Sequence, residues 1–90
     1  MVEERFFLYD ETENTEVRYV SFMGEASRYD IAVMSTDRYY GKKIVIDIQG
    51  NRFAIIGADD LKEPGYLEHT FNLSEIEADE LREFLYEVII

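Results

Sequence analysis

The sequence contains no cysteine and no tryptophan, and only one proline, one histidine and five glycines among 90 residues. Without cysteine there is no disulfide framework and no thiolate nucleophile. The glycines form no phosphate-cradling loop, and the acidic residues and His69 show no metal-ligand spacing. No run of about 18 apolar residues is available to span a membrane. The first residues, Met1 to Arg5, lack the basic-then-apolar order of a secretory signal, so the expected setting is the cytosol with no membrane partner. Positive charge is also scarce. Nine Lys and Arg face twenty Asp and Glu, and the resulting net charge of −11 repels phosphate backbones at long range.

Hydrophobic residues are plentiful, at 47% with seven Tyr and six Phe, which places the chain among folded domains rather than disordered acidic segments. The length implies one domain over residues 1–90, burying roughly 60 to 65% of the surface its unfolded chain exposes. Charge is uneven along it: residues 1–27 carry −5, residues 28–52 carry +2 and residues 53–90 carry −8.

Apolar alternation bounded by turn residues predicts an antiparallel meander over residues 1–73. Its expected strands are Arg5–Asp10, Glu16–Met23, Tyr29–Ser35 and a hairpin over 42–57, with Tyr66–Asn72 as a further strand or an extended link. In the hairpin, a two-residue turn at Gly50-Asn51 would place Ile48 opposite Phe53 and Ile46 opposite Ile55, collecting the bulky side chains on one face. Val45, Asp47, Gln49, Ala54 and Ile56 would form the other, mixed face.

Residues 74–90 read as a helix. Ser74 and Glu77 have capping-box spacing, with Leu73 placed to staple onto Ala78. At about 100° per residue, Ala78, Leu81, Phe84, Leu85, Val88 and Ile89 fall in one stripe opposite Asp79, Glu80, Glu83 and Glu87. The predicted fold class is therefore α+β: a five- to six-stranded antiparallel meander sheet with one C-terminal helix packed on one face. One helix of about 22 Å shields only one side of a sheet, yet both parities of the strands carry large apolar groups. Phe6 and Leu8 alternate with Phe7 and Tyr9, and Val20 and Phe22 with Val17, Tyr19 and Met23. Such a surplus points to association, and a homodimer through the helix-free sheet face or through strands at its edge is the expected state; the alternative is a sheet curled into a small barrel.

Several runs carry a resemblance: Glu4–Asp10, Thr36–Lys42, Arg52–Gly57 with Asp59–Leu61, and Gly65–His69. Together they resemble a family of small acidic proteins of Bacillus- and Staphylococcus-type bacteria, classed as a domain of unknown function. The resemblance implies a bacterial cytosolic protein and carries no catalytic residue, cofactor or substrate with it.

Two clusters are candidate sites. Arg38, Tyr39, Tyr40, Lys42 and Lys43 combine aromatic and basic groups suited to stacking bases and neutralising phosphates of a single strand. The competing reading is a loop whose tyrosines pack at the sheet end and whose bases pair with nearby acids; the same patch would also suit an acidic protein partner. Asp59, Asp60, Glu63 and His69 are weak candidates for a divalent-metal or acid–base site, because spacing alone does not bring them to one point. Asp10, Thr12 and Asn14 open like an EF-hand loop, but Thr15 stands where glycine is required and Ser21 where the final Glu is required. None of the four serines lies in a nucleophile-elbow pattern. The sequence thus favours a homodimeric interaction or regulatory module without catalysis or cofactor. A single-strand nucleic-acid or nucleotide binder comes second, and a metal-assisted enzyme third.

Overall fold

The computed structural model describes residues 4–89; Met1 to Glu3, and Ile90 at the end of the predicted helix, lie outside the described residues. Four antiparallel strands follow one another in space as in sequence: β1 (Val17–Met23), β2 (Arg28–Met34), β3 (Lys43–Asp47) and β4 (Arg52–Ile56). Three helices then cover one side, α1 (Ala58–Lys62), α2 (Tyr66–Phe71) and α3 (Glu75–Ile89). The α+β class and the meander agree with the expectation, whereas the sheet has four strands rather than five or six.

The first correction concerns Arg5–Asp10, which forms no strand. The ladder between β1 and β2 continues only as far as the Ser35 N–H donating to the Glu16 carbonyl at 3.0 Å, because β2 ends there and the chain turns away through residues 35–41. Residues 4–15 have no neighbouring strand and form an exposed arm. The longest dimension is 52 Å and the radius of gyration 15.5 Å, against about 12 Å for a compact chain of this length.

The second correction is that Tyr66–Phe71 is a helix, not a strand. Leu67 and Phe71, four residues apart, are both buried, and the helix is bracketed by Gly65 at φ 78° and Asn72 at φ 55°, the left-handed conformations that glycine and asparagine tolerate. The short α1, which the sequence reading omits, begins where the Gly57 N–H donates to the Asp60 carboxylate at 2.8 Å.

A third correction lies in the β3–β4 hairpin. Asp47 pairs with Arg52, Ile46 with Phe53 and Ile44 with Ile55, two residues away from the expected register. The connection spans Ile48–Asn51: the Asp47 carboxylate accepts the Gly50 N–H at 3.2 Å, and Asn51 takes a left-handed φ of 57°. Because the shift is even, residues expected to share a face still share it. That face is nevertheless the outer one. The helices instead cover the side bearing Val45 and Ile56, both fully buried, together with Tyr29, Ile31 and Val33. The half-buried Ala54, small for its position, also packs against this core.

The C-terminal helix follows its sequence pattern. Glu77 N–H donates to the Ser74 hydroxyl at 3.2 Å, and Ser74 N–H donates back to the Glu77 carboxylate at 3.0 Å. Ala78, Leu81 and Leu85 are buried, and Phe84, Val88 and Ile89 pack against the core at its margin. No helix of the described residues is long and apolar enough to cross a membrane.

Candidate interaction face

Directly paired residues of an antiparallel sheet project to the same side, so the register defines the outer face. It comprises Val17, Tyr19, Ser21 and Met23 of β1, Arg28, Asp30, Ala32 and Met34 of β2, Ile44 and Ile46 of β3, and Phe53 and Ile55 of β4. Ala32 is sunk between its direct partners Tyr19 and Ile46, whereas Tyr19 is 75% and Phe53 68% exposed. The charged members, Arg28 and Asp30, pair with each other at 3.2 Å. Asp30 also accepts the Ser21 hydroxyl at 2.6 Å, and that bond, ahead of Arg28, holds its carboxyl below the usual range. An acidic chain therefore presents a sheet face whose strand residues carry no net charge.

The arm is the second exposed apolar element. Phe6, Phe7, Leu8 and Tyr9 are consecutive and all exposed, Phe6 and Leu8 almost completely. Its root is fastened to the β2–β3 connection. Arg38 donates to Glu11 at 2.6 Å and lies 4.7 Å from the centre of the Tyr9 ring, and Thr36 donates to Glu13 at 2.5 Å.

These fastenings distribute the basic-aromatic cluster among different neighbours. Arg38 serves the arm, Lys42 reaches across to Asp60 of α1 at 3.1 Å, and Lys43 is a half-buried member of β3. Tyr39 is half-buried, while Tyr40 stands fully in solvent at φ 53°. Asp60 is committed to the α1 start and to Lys42, and the Gly57 N–H is the main reason its carboxyl sits below the ordinary range. Asp59, Glu63 and His69 are exposed on or beside α1 and α2. Among the described residues no three His, Asp or Glu side chains gather in a way that could hold a metal ion.

A further ionisable cluster joins the β1–β2 turn to α3. The buried Tyr29 hydroxyl donates to the Glu80 carboxylate at 2.7 Å and lies 3.3 Å from the Glu77 carbonyl. Glu80 also accepts the backbone N–H groups of Glu25 and Ala26, in the turn between β1 and β2. Burial first, and Glu80 second, pushes the Tyr29 hydroxyl well above its ordinary pKa; the same hydrogen bond chiefly lowers that of Glu80. Tyrosine thus keeps its proton and Glu80 its charge through the neutral range. The cluster ties the turn to α3 and supplies no proton donor or acceptor poised near neutrality. Gly24 leaves the space: a Cβ there would lie 2.3 Å from a Glu80 carboxylate oxygen. Only the parity of Tyr29 with Ile31 and Val33 hints at this in the sequence, because the Glu80 partnership is made by tertiary packing.

No curated protein matches the chain. The family model described as SAV0927-like matches residues 8–87, from within the arm to the last turn of α3. The chain therefore belongs to the SAV0927-like family.

Proposed function

We propose that the protein is a bacterial cytosolic module that works as a homodimer, without catalysis, and that the outer sheet face is its subunit contact. The observation that carries this reading is the coexistence of a net charge of −11 with a broad sheet face of zero net charge. Val17, Tyr19, Met23 and Phe53 of this face are 37%, 75%, 75% and 68% exposed, and Ile48, in the β3–β4 connection with its N–H on the Asp30 carbonyl, is 48% exposed. At roughly 200 Å² for a large side chain, those fractions leave roughly 600 Å² in water on each chain. That equals the largest patches of ordinary monomers and approaches the roughly 800 Å² per partner of a standard interface. A second copy offers a surface of the same chemistry without burying an unpaired charge.

Sedimentation equilibrium from low micromolar to submillimolar concentration tests the reading. The expected mass is twice the 10.6 kDa of one chain, falling to one chain when Tyr19→Asp and Phe53→Asp are combined. A parent protein that remains a single chain across the whole range refutes it.

A further inference from the structure

We propose that the N-terminal arm is an exchanged element: in the dimer, Phe6–Leu8 of each copy lies along the β4 margin of the other's outer sheet face, beside Phe53. The inference rests on the homodimer reading and adds the segment that completes the contact. Three observations carry it. The arm holds four consecutive large apolar side chains, of which Phe6 and Leu8 are 91% and 88% exposed, so its own chain gives them almost no cover. Its root is held at the β2–β3 connection, outside the strands, by Glu11 and Glu13 and by Tyr9 beside Arg38, while Phe6 and Leu8 beyond that root remain uncovered. The surface that matches it chemically, an uncharged sheet face centred on Tyr19, Ile46 and Phe53, belongs to the same chain. Phe6–Tyr9 is itself uncharged, so it can be desolvated without stranding a carboxylate, while Asp10 and Glu11 stay at the solvated root. A two-fold axis makes the exchange reciprocal: each copy gives one arm and receives one, and no apolar arm is left over to propagate a fibre.

The test pairs an arm variant with a face variant and measures the dimer dissociation constant of each. Phe6→Glu combined with Leu8→Glu alters residues that touch almost nothing within one chain, so the melting curve of the dissociated protein is expected to be unchanged. Its dimer is expected to be weakened by at least about 100-fold, from the loss of two buried apolar anchors. An unchanged dissociation constant in this variant, with Tyr19→Asp/Phe53→Asp still dissociating the dimer, overturns the arm exchange and leaves the sheet-face dimer standing. A parent that never dimerises, or a face variant that dimerises normally, overturns both. Because the chain has no native cysteine, cross-linking has no background. Leu8→Cys and Phe53→Cys chains, mixed and oxidised, are expected to form a disulfide between the two different chains. A bridge that forms only within single chains carrying both substitutions shows the arm folding back on its own sheet, and refutes the exchange.

Discussion

The sharpest test of the fold compares two residues three positions apart on β4. Ile56 is fully buried beneath the helices, whereas Phe53 is 68% exposed on the outer face, although Phe53 is the bulkier and more hydrophobic-looking anchor in the sequence. Truncating Ile56 to Ala removes three carbons from a closed core and is expected to cost about 2 to 5 kcal/mol. Truncating a fully buried Phe costs about 3 to 5 kcal/mol; with about a third of its surface covered, Phe53→Ala is expected to cost about 1 to 1.5 kcal/mol in the dissociated chain. At about 4 to 8 °C per kcal/mol for a domain of this size, the melting temperature should fall by roughly 14 to 28 °C for a mid-range Ile56→Ala loss and by roughly 5 to 10 °C for Phe53→Ala. Thermal melts followed by circular dichroism at low micromolar concentration, where association is weakest, measure both. Repeating them at high concentration adds a second readout: the Phe53→Ala deficit should widen as the parent gains stability from dimerisation, while the Ile56→Ala deficit should stay nearly constant. Equal losses in dilute solution, or a larger loss for Phe53→Ala, would mean that the sheet is packed on its other face and would refute both the core assignment and the exposed patch.

Removing the α3 cap by Ser74→Ala should lower stability by about 1 kcal/mol and leave the fold intact, measured as a shift in urea midpoint at constant slope. The pH dependence has two limbs. Asp60, Glu77 and Glu80 have folded pKa values below their ordinary ones, so their stabilisation is complete above the unfolded carboxylate range and is lost as pH falls through the folded values. Tyr29 is shifted upward, so its contribution is complete below the ordinary tyrosine pKa of about 10 and declines as pH rises beyond it. Urea midpoints measured across pH should show both limbs. Tyr29→Phe should lower the neutral plateau and flatten the alkaline limb, whereas an alkaline limb unchanged in that variant would place its origin elsewhere.

Much of this architecture is legible in the sequence where local chemistry decides. Ser74 and Glu77 specify the start of α3 by reciprocal bonds within four residues, and the stripe from Ala78 to Ile89 specifies which side is buried. The β1–β2 hairpin is equally local, closing where Gly24 N–H donates to the Ser27 carbonyl at 2.8 Å. Strand parity in β3 and β4 is also legible, since it survives a two-residue shift in register. Parity says which side chains share a face, however, and not which face the helices choose. With apolar groups on both sides, Val45 and Ile56 win over Ile46 and Phe53 through the helices packed against them, which no strand pattern contains. The arm misled for a related reason: Phe6–Tyr9 has strand composition, but a strand requires a neighbour and β2 ends too soon to supply one. At α2 the Leu67–Phe71 spacing is the helical signal, set within a segment too short for its periodicity to stand out. The apolar surplus behind the proposed interface was legible; its location required knowing which face the helices take.

The placement of charge then decides how two copies would meet. Asp79, Glu83 and Glu87 stand exposed on α3, so a strongly acidic coat lies on the helical layer, while the charged strand residues of the opposite face are the Arg28–Asp30 pair. Docking through the helices would press acidic surfaces together within a Debye length of about 8 Å, where their repulsion is least screened. Docking sheet to sheet sets the two sheets about 10 Å apart. With each helical layer a further 10 Å or so beyond its own sheet, the acidic coats are separated by roughly 30 Å. At several Debye lengths that repulsion is largely extinguished. In the proposed dimer the net charge of −11, which opposes association of the chain in general, would therefore favour sheet-to-sheet over helix-to-helix docking.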